Sequence, residues 1–193
     1  MGRFKPQHGL GRLVNHVAEG EDPNGASVAP IYQTSSFSFP DAATGASIFK
    51  GEQEGYIYTR FNNPNMVQVV SKLAALEGLE LLRAQPERPL PEVVGGRLFA
   101  SGMAAATGAI LTRAQGAQGG QTVIAQKSLY SATFNFLNEI APRYGIRTVW
   151  VDRPEPEAWE AAFAEAPQAA LAFAETPANP VLTLVDLQAV AEI

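Results

Sequence analysis

The sequence predicts an α/β protein: a mostly parallel sheet with helices on both faces, preceded by a long extended arm. Three observations predict it. Past residue 96, apolar strand-like runs at 97–100, 122–125, 148–151 and 171–174 alternate with helix-like runs at 103–115, 132–144, 156–165 and 184–193. That alternation is the pattern of βαβ units. A well-punctuated helix at 64–77 precedes it. Before that helix, residues 1–62 show no periodicity of their own, and Gly and Pro punctuate them.

Each element has a local reason. Asp22-Pro23-Asn24-Gly25 reads as a turn, because Pro presets one dihedral and Asn-Gly tolerates positive φ. Residues 30–37 read as extended. An arm that cannot build a core is expected to lie on another surface, such as a second subunit. The 64–77 helix has Asn63 as N-cap, Pro64 in its first turn and Gly78 as its stop. Met66, Val69, Val70, Leu73 and Leu76 form one apolar stripe along it. Three prolines and a Gly-Gly pair mark 83–96 as a loop.

Composition narrows the function. The 193 residues are 46% hydrophobic and 17% charged, below the ~25% charge usual for a domain, so much surface is expected to be buried. A net charge of −5 argues against nucleic acid as a partner. There is no cysteine, which removes disulfides, thiol nucleophiles and Cys-bound metals. His8 and His16 lack metal-ligand spacing, so no metal site is expected. No apolar run is long enough for a signal peptide or a membrane span, and a cytoplasmic location is the expectation.

In a parallel sheet, ligands bind at the carboxyl ends of the strands. At such an end, Ser101-Gly102-Met103-Ala104 offers a Ser cap, an open Gly and the free N–H groups of a helix start, which suits a phosphate. It is neither a Walker loop nor a GxGxxG turn. In Lys127-Ser128-Leu129-Tyr130, Tyr130 offers a flat face for an aromatic ring. In Glu175-Thr176-Pro177-Ala178-Asn179-Pro180, a carboxylate and an amide follow a strand directly, on a loop stiffened by two prolines. In the arm, Tyr58-Thr59-Arg60 puts a hydroxyl and a guanidinium on one side of an extended segment, a second phosphate grip.

Together with Ala29-Pro30-Ile31-Tyr32-Gln33-Thr34, Asn63-Pro64 and Leu76-Glu77-Gly78, these segments resemble, in order, the Cys/Met-metabolism family of pyridoxal-phosphate enzymes. The resemblance implies the large domain of a fold-type-I pyridoxal-phosphate transferase. Residues 1–62 would be an inter-subunit arm and 63–193 the first part of that domain. It implies pyridoxal 5'-phosphate as cofactor. Tyr58 and Arg60 look like the pair that reaches the cofactor phosphate of a neighbouring subunit. Gly102 and Met103, beside Ser101, look like backbone donors to the phosphate of their own. Tyr130 looks like the stacking ring that also moves protons, and so the catalytic candidate. Asn179, with Glu175 on the same loop, looks like the partner of the pyridine 3-oxygen. The implied activity is γ-elimination or γ-replacement at a C–S bond of a sulfur amino acid or an O-acylhomoserine, in a homo-oligomer of the dimer-of-dimers kind. An aminotransferase of the same fold, or an inactive partner-binding chain, are the alternatives. The family's Asp for the pyridine nitrogen and its Schiff-base lysine match nothing here. Lys5, Lys50, Lys72 and Lys127 all lie outside the family's lysine context. The expectation is therefore the amino-terminal part of a larger subunit, inactive without the remainder.

Overall fold

The computed structural model describes residues 9–16, 25–26, 28–114 and 121–193. Residues 22–24 of the expected turn, His8, Lys5 and Gln115 lie outside them; Gly25 has φ of 75°. The chain forms two compact units, the first up to Leu98 and the second from Phe99 to Ile193.

In the first unit, α1 is Leu10–His16, α2 Ala42–Phe49, α3 Pro64–Glu77, α4 Leu79–Ala84 and α5 Leu90–Val93. Helix α3 has the expected bounds, with Asn63 accepting from the Asn65 N–H at its start. Gly78 does not stop it through a left-handed turn: φ is −94° and ψ 18°. It is a corner, and α4 starts at once. Glycine is needed there for space, since a Cβ would lie 2.1 Å from Val94 Cγ2. Leu13, Ala75 and Leu82 form the core, with Leu76, Leu79, Leu90, Val93 and Val94 against it. The Pro-rich stretch read as a loop thus carries α5 and part of the core.

The stripe on α3 is another correction. Its buried residues are Ser71, Ala74 and Ala75, while Val69 and Leu73 stay 45% and 48% exposed. Small side chains let neighbouring helices approach closely; of the bulky row Leu76 still packs against the core, while Val69 and Leu73 face away from it. The arm also holds two helices that periodicity did not reveal, α1 and α2. Asp41 caps α2 by accepting from the Thr44 N–H at 2.7 Å, and Gly45 sits against the Phe39 ring.

In the second unit, α6 is Gly102–Ala114, β1 Thr122–Gln126, α7 Ser131–Asn135, β2 Arg147–Val151, α8 Pro156–Glu165, β3 Leu171–Phe173 and α9 Leu187–Glu192. The sheet is parallel in the order β2-β1-β3, with Ile124 beside Val149 and Ala172. Period-2 alternation divides the central strand between two cores. Val123 and Ala125 pack with Ile110, Leu137 and Ile146; Ile124 packs with Val149, Trp159 and Ala162. Both faces are covered, as a parallel sheet requires.

The strand expected at 97–100 is absent: these residues are irregular, and Phe99 is 50% exposed. A strand exists only where another pairs with it, and none among the described residues does. The helix expected over 132–144 is broken into three. After α7 comes a wide π turn at Phe136–Ile140, then a 3₁₀ turn at Ala141–Tyr144 containing Pro142, closed by Gly145 at φ 76°.

Candidate cofactor-binding site

Six of the eight candidate residues belong to the second unit. Strand β1 ends at Gln126 and β3 at Phe173, so the loops that follow lie at the carboxyl edge of adjacent strands. The Tyr130 N–H donates to Glu175 Oε2 at 2.8 Å, and the Thr133 hydroxyl lies 3.5 Å from Glu175 Oε1. Glu175 thus satisfies donors at the start of α7, where a negative charge is favoured by the helix dipole. The Glu175 N–H donates to Gln126 Oε1 at 3.2 Å, and Gln126 Nε2 donates to the Ser128 carbonyl at 2.7 Å. The loops after β1 and β3 are therefore cross-tied. The Thr133 hydroxyl also lies 3.5 Å from Met103 Sδ, which joins the first turn of α6 to the same cluster.

Ser101 is the cap of α6, its Oγ accepting from the Ala104 N–H at 3.1 Å. The N–H groups of Gly102 and Met103 have no partner among the described residues. A Cβ built on Gly102 would meet nothing within 4 Å, so the approach to those donors is open. Tyr130 is 44% exposed. Asn179 is exposed on a tightly held loop. Ala178 is fully buried and bonded to Thr183, the Thr176 hydroxyl accepts from the Val185 N–H, and the Thr176-Pro177 and Asn179-Pro180 bonds are cis. The Asn179 amide makes no hydrogen bond among the described residues.

Tyr58 and Arg60 belong to the first unit. Ser36 and Tyr58 form an antiparallel bridge, with Phe37 N–H to Ile57 O at 3.1 Å and Thr59 N–H to Ser35 O at 2.9 Å. Two asparagines pin this ribbon. Asn63 Nδ2 donates to Tyr32 O at 3.0 Å and to Thr59 Oγ1 at 3.1 Å; Asn65 Nδ2 donates to Pro30 O at 2.8 Å and its Oδ1 accepts from the Tyr32 N–H. The extended segment expected through Arg60 ends at Tyr58: residues 59–61 form a turn, with Phe61 N–H to Tyr58 O at 2.9 Å and Asn62 N–H to the same oxygen at 3.1 Å, so it is this turn and not strand alternation that leaves Tyr58 and Arg60 both exposed. The Arg60 guanidinium lies 5.1 Å from the Tyr58 ring centre and 5.4 Å from that of Phe61, with no carboxylate partner among the described residues.

These groups suit a planar phosphorylated ligand. Free N–H donors at a helix start fit a phosphate, an exposed Tyr face fits a ring, and an unengaged amide fits a ring substituent. Among the described residues no cluster of three metal-ligating side chains occurs. Of the lysines, Lys50 pairs with Glu52 at 4.0 Å, Lys127 pairs with Asp152 at 2.8 Å, and Lys72 donates to Asn15 O at 3.2 Å. Sequence reasoning missed Gln126, Thr133 and Asn65. The signal for Gln126 was an amide closing an otherwise apolar strand.

The model of the Cys/Met metabolism PLP-dependent enzymes matches residues 12–193. The chain belongs to this family. Pyridoxal phosphate is the family's cofactor, and the α/β fold expected of it is the fold observed. An L-methionine γ-lyase from Porphyromonas gingivalis is 40% identical over 185 residues, 96% of this chain and 42% of that protein. An O-acetyl-L-homoserine sulfhydrylase from Leptospira meyeri is 33% identical over 98% of this chain and 38% of its own length. The crystal structure of MetB from Corynebacterium glutamicum matches with a TM-score of 0.76 and 29% identity, over 98% of this chain and 43% of that one. The chain thus spans about two-fifths of the length of these family members. Among the described residues no helix is long and apolar enough to cross a membrane.

Proposed function

We propose that the protein carries out pyridoxal-phosphate-dependent chemistry at the γ-carbon of a sulfur amino acid or an O-acylhomoserine, by elimination or replacement. One observation carries the reading. In a member of this family, the loops after β1 and β3 are tied together, while the Tyr130 side chain, the Asn179 amide and the Gly102 and Met103 N–H groups stay unengaged among the described residues. The groups left free are those a planar phosphorylated cofactor needs.

When bound, pyridoxal phosphate supplies the electron sink for negative charge developing on substrate carbon. The chain's own residues do the rest. The Gly102 and Met103 N–H groups hold the phosphate, with the positive end of α6 behind them. Tyr130 stacks on the ring, and its hydroxyl gives or takes a proton at the substrate. The Asn179 amide orients the ring through its oxygen substituent. Tyr58 and Arg60 add their donors to the phosphate of a neighbouring subunit. Residues 1–62 serve there as an inter-subunit arm, and 63–193 as the first part of the cofactor-binding domain. The protein works as a homo-oligomer in the cytoplasm.

The test is product analysis with the full-length protein, cofactor supplied. Elimination from methionine with water gives methanethiol, 2-oxobutanoate and ammonia in equal amounts. Replacement on O-acetylhomoserine with sulfide gives homocysteine and acetate. Either product set, lost in Tyr130→Ala, supports the reading. Amino-group transfer to an oxo acid without C–S or C–O cleavage overturns it.

A further inference from the structure

We propose that Gln126 and Glu175 are a positioning pair that fixes where the Tyr130 ring stands; the proposal rests on the cofactor reading above. Gln126 is 2% exposed, at the end of a strand whose other inner residues are Val, Ile and Ala. A buried amide is costly unless its polar atoms are bonded. Both ends are bonded here, and both bonds lead to the loops bearing the candidate residues. Its oxygen accepts from the Glu175 N–H, and its nitrogen donates to the Ser128 carbonyl. Glu175 in turn holds the Tyr130 N–H.

Residues 127–130 are consequently gripped at successive points. The Lys127 N–H donates to Val151 O at 2.8 Å, Ser128 O is held by Gln126, the Leu129 side chain is buried, and Tyr130 N is held by Glu175. The Tyr130 backbone has little freedom left, and only its two side-chain torsions remain open. A ring meant to meet a flat ligand gains from this, because ordering it on binding then costs less. The side chains of this pair are engaged with the Tyr130 segment, so they act on a ligand through Tyr130. Asn at 126 is one methylene too short to span both partners, and Leu or Met fills the space without the bonds.

The experiment is a mutant cycle on the full-length protein, read as the Kd for pyridoxal phosphate by absorbance titration, with a thermal melt of each variant. Gln126→Met should raise Kd about five- to tenfold, the equivalent of one hydrogen bond. In a Tyr130→Ala background the same change should move Kd less than about twofold, because coupled effects do not add. Glu175→Leu should behave like Gln126→Met. Glu175→Gln keeps an oxygen to accept from Tyr130 N and should stay within about threefold of the parent. This second series stands if Gln126→Met fails to fold. Equal effects with and without Tyr130, or Glu175→Gln as damaging as Glu175→Leu, overturn the positioning role alone. A parent protein that binds no pyridoxal phosphate overturns the cofactor reading and this inference with it.

Discussion

Asn63 is the residue whose loss should reach furthest through the first unit. It is 3% exposed and makes three hydrogen bonds with one side chain. Its oxygen caps α3, and its nitrogen donates to Tyr32 O and Thr59 Oγ1. The cap fixes the helix, and the two donations fix the ribbon that presents Tyr58 and Arg60. Asn63→Ala removes all three. At ~0.5–1.5 kcal/mol net per bond, the loss is roughly 1.5–4.5 kcal/mol, of which the cap accounts for about 1. With a urea slope of ~2 kcal/mol/M, the unfolding midpoint should fall by roughly 1–2 M. Asn63→Asp separates the two roles. A carboxylate caps as well as an amide but cannot donate, and it would face the Tyr32 carbonyl. Hydrogen exchange reads the difference: the Asn65 amide should stay protected in Asn63→Asp and lose protection in Asn63→Ala. Protease cleavage within residues 28–40 should rise in both. An Asn63→Ala midpoint within about 0.3 M of the parent, with the arm still protected, would refute the idea that this side chain clamps the arm.

Other consequences are as direct. Arg60→Ala should weaken cofactor retention by about ten- to a hundredfold, the size of a lost charge-assisted contact; mixing it with Tyr130→Ala subunits should restore part of the activity if Arg60 serves a neighbouring site, and proven mixed dimers with no recovery would put it in its own. Gly78→Ala should cost about 1–3 kcal/mol, since its Cβ would fall 2.1 Å from Val94 Cγ2, and pairing it with Val94→Ala should recover much of the lost melting temperature. The Asp41 carboxyl is held below its ordinary value of 3.8, chiefly by the Thr44 N–H. Its stabilisation is present above the unfolded value and fades as pH falls through the lowered one. The gap in melting temperature between parent and Asp41→Ala should therefore close at acid pH, and a gap constant down to the acid limit would contradict the cap.

Legibility followed how local the cause was. The 64–77 helix was readable because its cap, its Pro and its corner glycine all lie within one residue of its ends. Strand β1 and helix α8 were readable for similar reasons, from a β-branched apolar run and a Pro-Glu start. What failed depended on distant partners. Residues 97–100 have the composition of a strand, but composition supplies no neighbour to pair with. The stripe on α3 was real as a pattern, yet Ser71, Ala74 and Ala75 took the core, because close approach of helices favours small residues over oily ones. Tyr58, Arg60, Tyr130 and Asn179 each offer suitable chemistry, but it was the ordered resemblance of their segments to the family that singled them out. Gln126 reaches Glu175 and Asn65 reaches Pro30 and Tyr32, partners 33–49 positions away in sequence that nothing local announces.

In the first unit the candidate guanidinium is held in place without a committed partner among the described residues. Arg60 rests over two aromatic rings, an interaction worth about 0.5–1 kcal/mol at an exposed site. A phosphate would offer its fork ~1.5–3 kcal/mol per charge-assisted bond. The rings therefore hold the guanidinium in place less strongly than the ligand would, and no carboxylate among the described residues competes. In the second unit the one candidate carboxylate, Glu175, is engaged within its own unit. Its oxygens face the Tyr130 N–H and the Thr133 hydroxyl, where the start of α7 favours its charge. A free carboxylate at that edge would repel a phosphate; an engaged one stiffens the loop and leaves the α6 donors as the dominant field. By this argument Glu175 serves the site best by keeping its charge away from the ligand, so a small polar residue unable to reach Tyr130 should be worse there than an uncharged one that can.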